Sequence, residues 1–265
     1  MTMPVFYLSH GGGPWPWMDQ GPQRYADLQR SLELIPSQLP EPPKAILMVS
    51  AHWETQGQFL VQAHPNPPMV YDYYNFPEHT YHIRYPAVGD PDLALQVQQL
   101  LAKADLPADL DYERGFDHGA FVPAFVMYPN ANIPMVQLSI DASYDPALHM
   151  QLGQTIRSLR EHGVLIIASG ASYHNLRMLG PEGAQPSVQF DSWLEYAMLN
   201  ASFDERQQLM MDWESAPAAR FSHAREDHLV PLFVAVGAAS ESDPVTRILN
   251  TTSSSGIMNA SYRFG

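Results

Sequence analysis

Two kinds of apolar pattern alternate along the chain. Short unbroken runs, Pro4–Leu8, Ala45–Val49 and Val164–Ala168, are too short for buried helices and read as strands covered on both faces. Pro134–Ser139 reads as a further strand, Phe59–Val61 as one pairing beside Ala45–Val49, and Tyr81–Arg84 and Ser261–Phe264 as short additions. Between them the apolar positions take helical spacing. Tyr25, Leu28, Leu32 and Ile35 predict a helix from Gln23 that Pro36 ends. Asp90-Pro91 and Asp145-Pro146 each place an N-cap before a first-turn proline, opening helices that run to about Ala104 and to His162, where Gly163 stops the second. Ser187–Asn200 and Glu205–Met211 add two more, and His228–Ala239 is apolar enough to be a buried helix. Strands alternating with helices predict an α/β fold: a single domain with a mostly parallel or mixed central sheet and helices on both faces. The stretch from His64 to Pro86, rich in Pro, Tyr and Asn, reads as a long ordered loop of the kind that forms lids and substrate walls.

Three of the strands run out at a histidine. His10 is followed by Gly11-Gly12-Gly13, His52 closes Ser50-Ala51-His52, and His174 follows Ser169-Gly170-Ala171-Ser172-Tyr173. Ligand sites in α/β sheets form beyond strand ends, so the pattern points to one site at one sheet edge. His228, after Glu226 and Asp227, and His118, between Asp117 and Gly119, are further candidates. Asp117 either fixes the tautomer of His118 or caps the segment that follows. The other histidines singled out, His64, His79, His82, His149 and His162, fall in loops or on helix surfaces and carry no expected role. No H-E-x-x-H or similar short-range pair is present, so any metal site must be assembled from distant segments.

Composition narrows the chemistry. The chain has no cysteine, which excludes disulfides, thiolate nucleophiles, iron–sulfur clusters and Cys-type zinc sites. A metal here must sit on imidazole, carboxylate, carbonyl or water. A net charge of −14 repels phosphate backbones and anionic lipid surfaces, so neither nucleic acid nor membrane is an expected partner. No apolar run reaches the roughly 18 residues of a membrane span, and no basic segment followed by an apolar one opens the sequence. A soluble cytoplasmic protein is the expectation; oligomeric state has no signal in the sequence.

Five blocks, Ser9–Pro14 (SHGGGP), Ser50–Trp53 (SAHW), Gly115–Pro123 (GFDHGAFVP), Ser169–Leu176 (SGASYHNL) and His223–Leu232 (HAREDHLVPL), occur in order across the chain. Together they resemble the 4,5-DOPA extradiol dioxygenase-like family, within the protocatechuate 4,5-dioxygenase catalytic-subunit superfamily. The resemblance implies one catalytic domain over residues 1–265 that opens a catechol-type ring beside the diol with O2 to give a semialdehyde. It implies His10, His52 and His228 as metal ligands, with His174 as catalytic base and possible fourth ligand. His118 would be a second catalytic histidine near substrate and oxygen. The implied cofactor is Fe(II), with zinc often occupying the site in recovered protein, and the implied partners are a small catecholic substrate and O2. Three neutral imidazoles would leave the site more positive than a set containing a carboxylate, favouring a catecholate dianion. Glu226 and Asp227 are the carboxylates placed to substitute. The first block departs from the shorter HGSP form by its three glycines, which bears on the pocket floor and not on the ligand.

Trp15, Trp17, Tyr71, Tyr73, Tyr74 and Phe76 are candidates to line a ring pocket, and Arg84, Arg177 and Arg225 to meet an acidic substituent. Two rival readings remain open at the level of sequence. A serine hydrolase would use Ser172, with His10-Gly-Gly-Gly as oxyanion loop, although Gly170-Ala-Ser172-Tyr-His174 misses the G-x-S-x-G elbow at its last position. A non-catalytic metal-binding interaction module, or a zinc hydrolase on the same ligands, is the other.

Overall fold

The computed structural model describes residues 2–265. Eight strands form one sheet: β1 (Val5–Ser9), β2 (Ala45–Thr55), β3 (Phe59–Gln62), β4 (Ala108–Asp111), β5 (Met135–Asp141), β6 (Val164–Gly170), β7 (Val245–Thr252) and β8 (Met258–Phe264), in the order β4-β3-β5-β2-β6-β1-β8-β7. The four central strands β5, β2, β6 and β1 are mutually parallel, and every residue of β1, β5 and β6 is buried. That double burial is why their sequences are unbroken apolar runs instead of alternating ones. β8 joins β1 antiparallel and closes a hairpin with β7, while β3 meets β5 antiparallel and β4 parallel. The sheet is therefore mixed, with a parallel centre.

Helices cover both faces. They are α1 (Gly21–Arg24), α2 (Ala26–Glu33), α3 (Pro91–Lys103), α4 (His118–Met127), α5 (Pro146–Ile156), α6 (Ala184–Glu195), α7 (Phe203–Met211), α8 (Ala219–Ser222) and α9 (Val230–Ala238). Val5, Tyr7, Leu47 and Val49 pack with α3, α5, α6 and α9 on one face; Phe6, Leu8, Ile46 and Met48 pack with α2 and α4 on the other. Asp90 and Asp145 cap α3 and α5 as expected, accepting from the amides of Leu93 and of Ala147 and Leu148. Among the described residues, no helix is long and apolar enough to cross a membrane.

Several elements differ from the sequence reading. β3 lies beside β5 and not beside Ala45–Val49, because both edges of β2 are already taken by β5 and β6. Tyr81–Arg84 is not a strand: Glu78–His82 forms a 3-10 turn in which Thr80 donates through both amide and hydroxyl to the Pro77 carbonyl. The helix expected from Gln23 is broken at Tyr25 into α1 and α2, and α2 stops at Glu33; Pro36 sits beyond it in a 3-10 turn, Ile35–Gln38, where its missing N–H costs nothing. The last buried helix starts at Val230, leaving His228 in the turn before it. His149 is not on a helix surface. It is fully buried, its Nδ1 donating to the Asp145 carbonyl and its Nε2 accepting from the Asp141 amide, so both ring nitrogens are satisfied.

Candidate metal centre

The C-terminal ends of β1, β2 and β6 point the same way, and the histidines gather there. His10 follows β1; its amide donates to the Gly170 carbonyl and its own carbonyl accepts from the Trp15 indole at 2.9 Å. Gly11 turns the chain away at φ +79°, where a Cβ would also sit 2.6 Å from the Trp15 ring nitrogen. His52 is not beyond the strand end. It lies inside β2, where the register against β5 slips between Val49 and Glu54, and such an irregularity re-aims a side chain without ending the strand.

His118 is the first residue of α4, whose cap is Asp117. Pro123 inside this helix has no N–H to give the Gly119 carbonyl, and the Ser169 hydroxyl of β6 donates to it instead. The turn carrying His118 is thus tied to the strand that leads to His174. His228 is fixed by its backbone: its carbonyl accepts from the Ala171 amide and the Tyr7 hydroxyl. A Cβ on Gly170 would lie 2.1 Å from that carbonyl oxygen, so this approach requires glycine.

All five sequence-predicted histidines come together. The rings of His10 and His52 are 4.9 Å apart, His10 and His228 5.2 Å, His52 and His118 4.0 Å, and His174 stacks on His228 at 3.3 Å. Ligand atoms of His10, His52 and His118 lie within 4.8 Å of one another, as do those of His174, Asp227 and His228. The two groups meet where His52 Nε2 and His228 Nε2 stand 3.2 Å apart.

The Nδ1 atoms decide what those Nε2 atoms are. His10 Nδ1 donates to the Gly11 carbonyl at 2.8 Å. His52 Nδ1 faces Asp72 Oδ2 at 3.2 Å, and His228 Nδ1 faces Asp227 Oδ2 at 3.1 Å, short of good hydrogen-bond alignment yet opposite a negative oxygen. An acceptor at each Nδ1 favours the Nδ1–H tautomer and leaves Nε2 as a bare lone pair. His10 Nε2 is buried without a partner, and the Nε2 atoms of His52 and His228 face each other at hydrogen-bond distance. Burial before all else holds His10 and His52 well below the usual imidazole pKa and His228 at about 4, so none of the three rings takes a second proton near neutrality. Neutral imidazoles are the form that binds a metal. A 3.2 Å separation is that of two adjacent nitrogens on one ion with bonds of about 2.1 Å. The donor set therefore fits a divalent metal.

Two carboxylates support the cluster, and Asp72 had no signal in the sequence reading. It lies in the Tyr- and Pro-rich loop, and its Oδ1 accepts from both the amide (3.0 Å) and Nδ1 (2.8 Å) of His118. Burial pushes its carboxyl up, but the bonds from His118 outweigh this and hold it low. Asp117 is not the tautomer partner of His118: it caps α4 at Ala120 and takes Ser50, Arg114 and Gln137. Glu226 pairs with Arg220 at 2.5 Å, away from the ligand role considered for it, and Asp227 faces the Nδ1 side of His228. The opposite Asp227 oxygen is buried, 3.7 Å from His174 Nδ1.

The remaining candidates separate cleanly. Tyr73 lies edge-on 5.8 Å from His118; Trp15 and Trp17 are scaffold, the latter on Phe121 and Phe125, and Tyr74 is exposed. Arg225 is engaged by Glu54 and the Tyr144 hydroxyl. Ser172 is no nucleophile. Its Oγ accepts from the Ala260 amide at 2.8 Å, and among the described residues no imidazole bonds that oxygen. The nearby buried His223 instead binds the Ser172 carbonyl.

Comparison with known proteins agrees with this chemistry. A family model described as the catalytic LigB subunit of aromatic ring-opening dioxygenase matches residues 4–265. A 4,5-DOPA dioxygenase extradiol from Beta vulgaris is 38% identical over 98% of this chain and 96% of that protein. One from Escherichia coli (strain K12) is 36% identical over 92% and 88%. The crystal structure of an uncharacterized protein from Escherichia coli K12 superposes with a TM-score of 0.80 at 30% identity, covering 99% of this chain and all of that one.

Proposed function

This chain belongs to the LigB family of aromatic ring-opening dioxygenase catalytic subunits, and we propose that it cleaves a catechol-type ring beside the diol with O2, giving a semialdehyde. The observation that carries this reading is the gathering of His10, His52 and His228 at one sheet edge, with His10 Nε2 buried without a partner and the Nε2 atoms of His52 and His228 3.2 Å apart. They would hold Fe(II), and zinc accepts the same imidazoles. Bound there, the iron would supply the redox chemistry that activates O2 beside the substrate. The partners are a small catecholic molecule and O2, the setting cytoplasmic, and residues 1–265 act as one catalytic domain.

The chain's own residues handle protons and orientation. His174, with Nδ1 towards Asp227, keeps Nε2 to accept a catechol hydroxyl proton, which is general-base work. His118, with Nδ1 bonded to Asp72, keeps its Nε2 for the reacting oxygen or ring oxygen. Tyr73 flanks His118 and offers an apolar edge to an aromatic substrate. Both atoms of O2 enter the product, and the ring carbon–carbon bond beside the diol breaks.

Chelator-stripped protein, reloaded anaerobically with Fe(II) or with zinc, tests the reading against DOPA, caffeate and protocatechuate on an oxygen electrode. Oxygen uptake with a yellow product is expected with Fe(II) and not with zinc. No uptake with iron bound would remove the dioxygenase reading for those substrates.

A further inference from the structure

We infer that Asp72 is a positioning residue that sets the tautomer of His52 and His118 together, so that the loop carrying it is a structural part of the metal centre and not a lid over it. The inference rests on the metal-site reading above. One carboxylate group touches both rings: Oδ2 stands 3.2 Å from His52 Nδ1, and Oδ1 accepts from His118 Nδ1 at 2.8 Å and from the His118 amide at 3.0 Å. That amide is one of the first-turn donors of α4 that no helical carbonyl can satisfy.

The loop holds this carboxylate firmly. Val70 donates to the Phe116 carbonyl at 2.8 Å, and Phe116 to the Pro68 carbonyl at 2.9 Å, which joins the loop to the segment entering α4. On either side of Asp72, the Tyr71 hydroxyl donates to the Ile83 carbonyl at 2.7 Å and the Tyr73 hydroxyl to the Thr80 carbonyl at 2.6 Å. The Asp72 side chain is only 17% exposed. Hydrogen bonds thus join loop, helix start and carboxylate into one unit.

The consequence follows from donor and acceptor arithmetic. Facing two acceptor oxygens, both imidazoles carry their proton on Nδ1 and present Nε2 as a lone pair. In Asp72→Asn one oxygen becomes an NH2 donor. The oxygen that remains is held on the His118 side, because His118 presents two donors there, its amide and its Nδ1–H. The new NH2 then faces His52 Nδ1 and forces the His52 proton to Nε2, the nitrogen needed for the metal. Partners that orient metal-ligating histidines in this way are worth about 10–100-fold in metal affinity.

Long-range 1H–15N spectra of the imidazoles in the metal-free chain, with chelator competition for Fe(II) and zinc, test the inference. The unmodified chain is expected to show Nδ1–H at both His52 and His118. In Asp72→Asn, with circular dichroism confirming the fold, His52 moves to Nε2–H, His118 stays Nδ1–H, and metal affinity falls about 10–100-fold. An Nε2–H tautomer at either histidine in the unmodified chain overturns the inference, even if the variant does not fold. So does unchanged metal affinity in a folded variant. Failure of the unmodified chain to bind any divalent metal would instead sink the metal reading, and the tautomer spectra would still judge the role of Asp72.

Discussion

Asp72 and Asp227 each face one proposed ligand histidine and one proposed catalytic histidine, but the chain delivers them in opposite ways. Asp227 is the sequence neighbour of His228, and its contacts are loose: 3.1 Å to His228, 3.7 Å to His174, with one buried oxygen lacking a hydrogen-bond partner. Asp72 arrives from a long loop and makes the tighter set, 2.8 Å to His118 and 3.2 Å to His52. Adjacency in sequence ties two side chains to diverging backbone directions, whereas a loop anchored at both ends can bring a carboxylate in face-on. The better-built support is the one with no local pattern.

Replacing a proposed ligand should break both halves of the comparison. His10→Ala, His52→Ala or His228→Ala is expected to abolish stoichiometric Fe(II) binding and turnover together, read by metal analysis after desalting. Bound metal retained by all three would show that the ion sits elsewhere. His174→Ala isolates the Asp227 side: turnover falls about 10²–10⁴-fold while the metal stays, as loss of a general base requires. Turnover unchanged in that variant removes His174 from the chemistry.

Asp227→Asn sharpens the contrast with Asp72→Asn. Because Asp227 Oδ1 accepts no hydrogen bond, the variant amide can turn its NH2 to that side and keep its oxygen on His228 Nδ1, so metal affinity should fall less than the roughly 10–100-fold expected at Asp72, measured by the same competition. An equal or larger loss would reverse the ranking. Smaller still is an acid effect away from the ligands. Burial, only partly offset by the bond to the Ser172 carbonyl, holds His223 at about 3 against 6.5 in the unfolded chain. Between those values the unfolded state binds the extra proton, so stability falls as pH drops from about 6.5 towards 3, by about 1.4 kcal/mol per unit for this one group. Denaturant titrations of His223→Asn across that range should show a shallower slope than the parent; an identical slope contradicts it. Last, Ser172→Ala should leave turnover essentially unchanged and lower stability by about 1–3 kcal/mol, since the Ala260 amide loses its acceptor. Abolished turnover would revive the serine reading.

Much of this was legible in the chain. The parallel central strands announce themselves as unbroken apolar runs because both faces are covered, and β1 and β6 hand His10 and His174 to the edge where they were expected. His52 also reached the site, but from inside a strand, since no apolar pattern reports a register slip. The edge strands β4 and β7 carry no such signal: four of the eight residues of β7 are half-buried and three exposed, and β4 has no fully buried residue, so neither has the pattern of a core strand. Helical periodicity counts His149 as polar and puts it on a surface, whereas its two hydrogen bonds let it be buried. Asp72 was invisible for a different reason: its partners lie in segments distant in the chain, and nothing near it in sequence marks the contact.

The most direct test of the central claim is the product itself, from Fe(II)-loaded protein given one equivalent of an accepted catechol in oxygenated buffer. The account predicts one O2 consumed per catechol and a yellow product heavier than the substrate by two oxygen atoms. A product lighter by two hydrogens, the quinone of simple oxidation, or an unaltered catechol would contradict it.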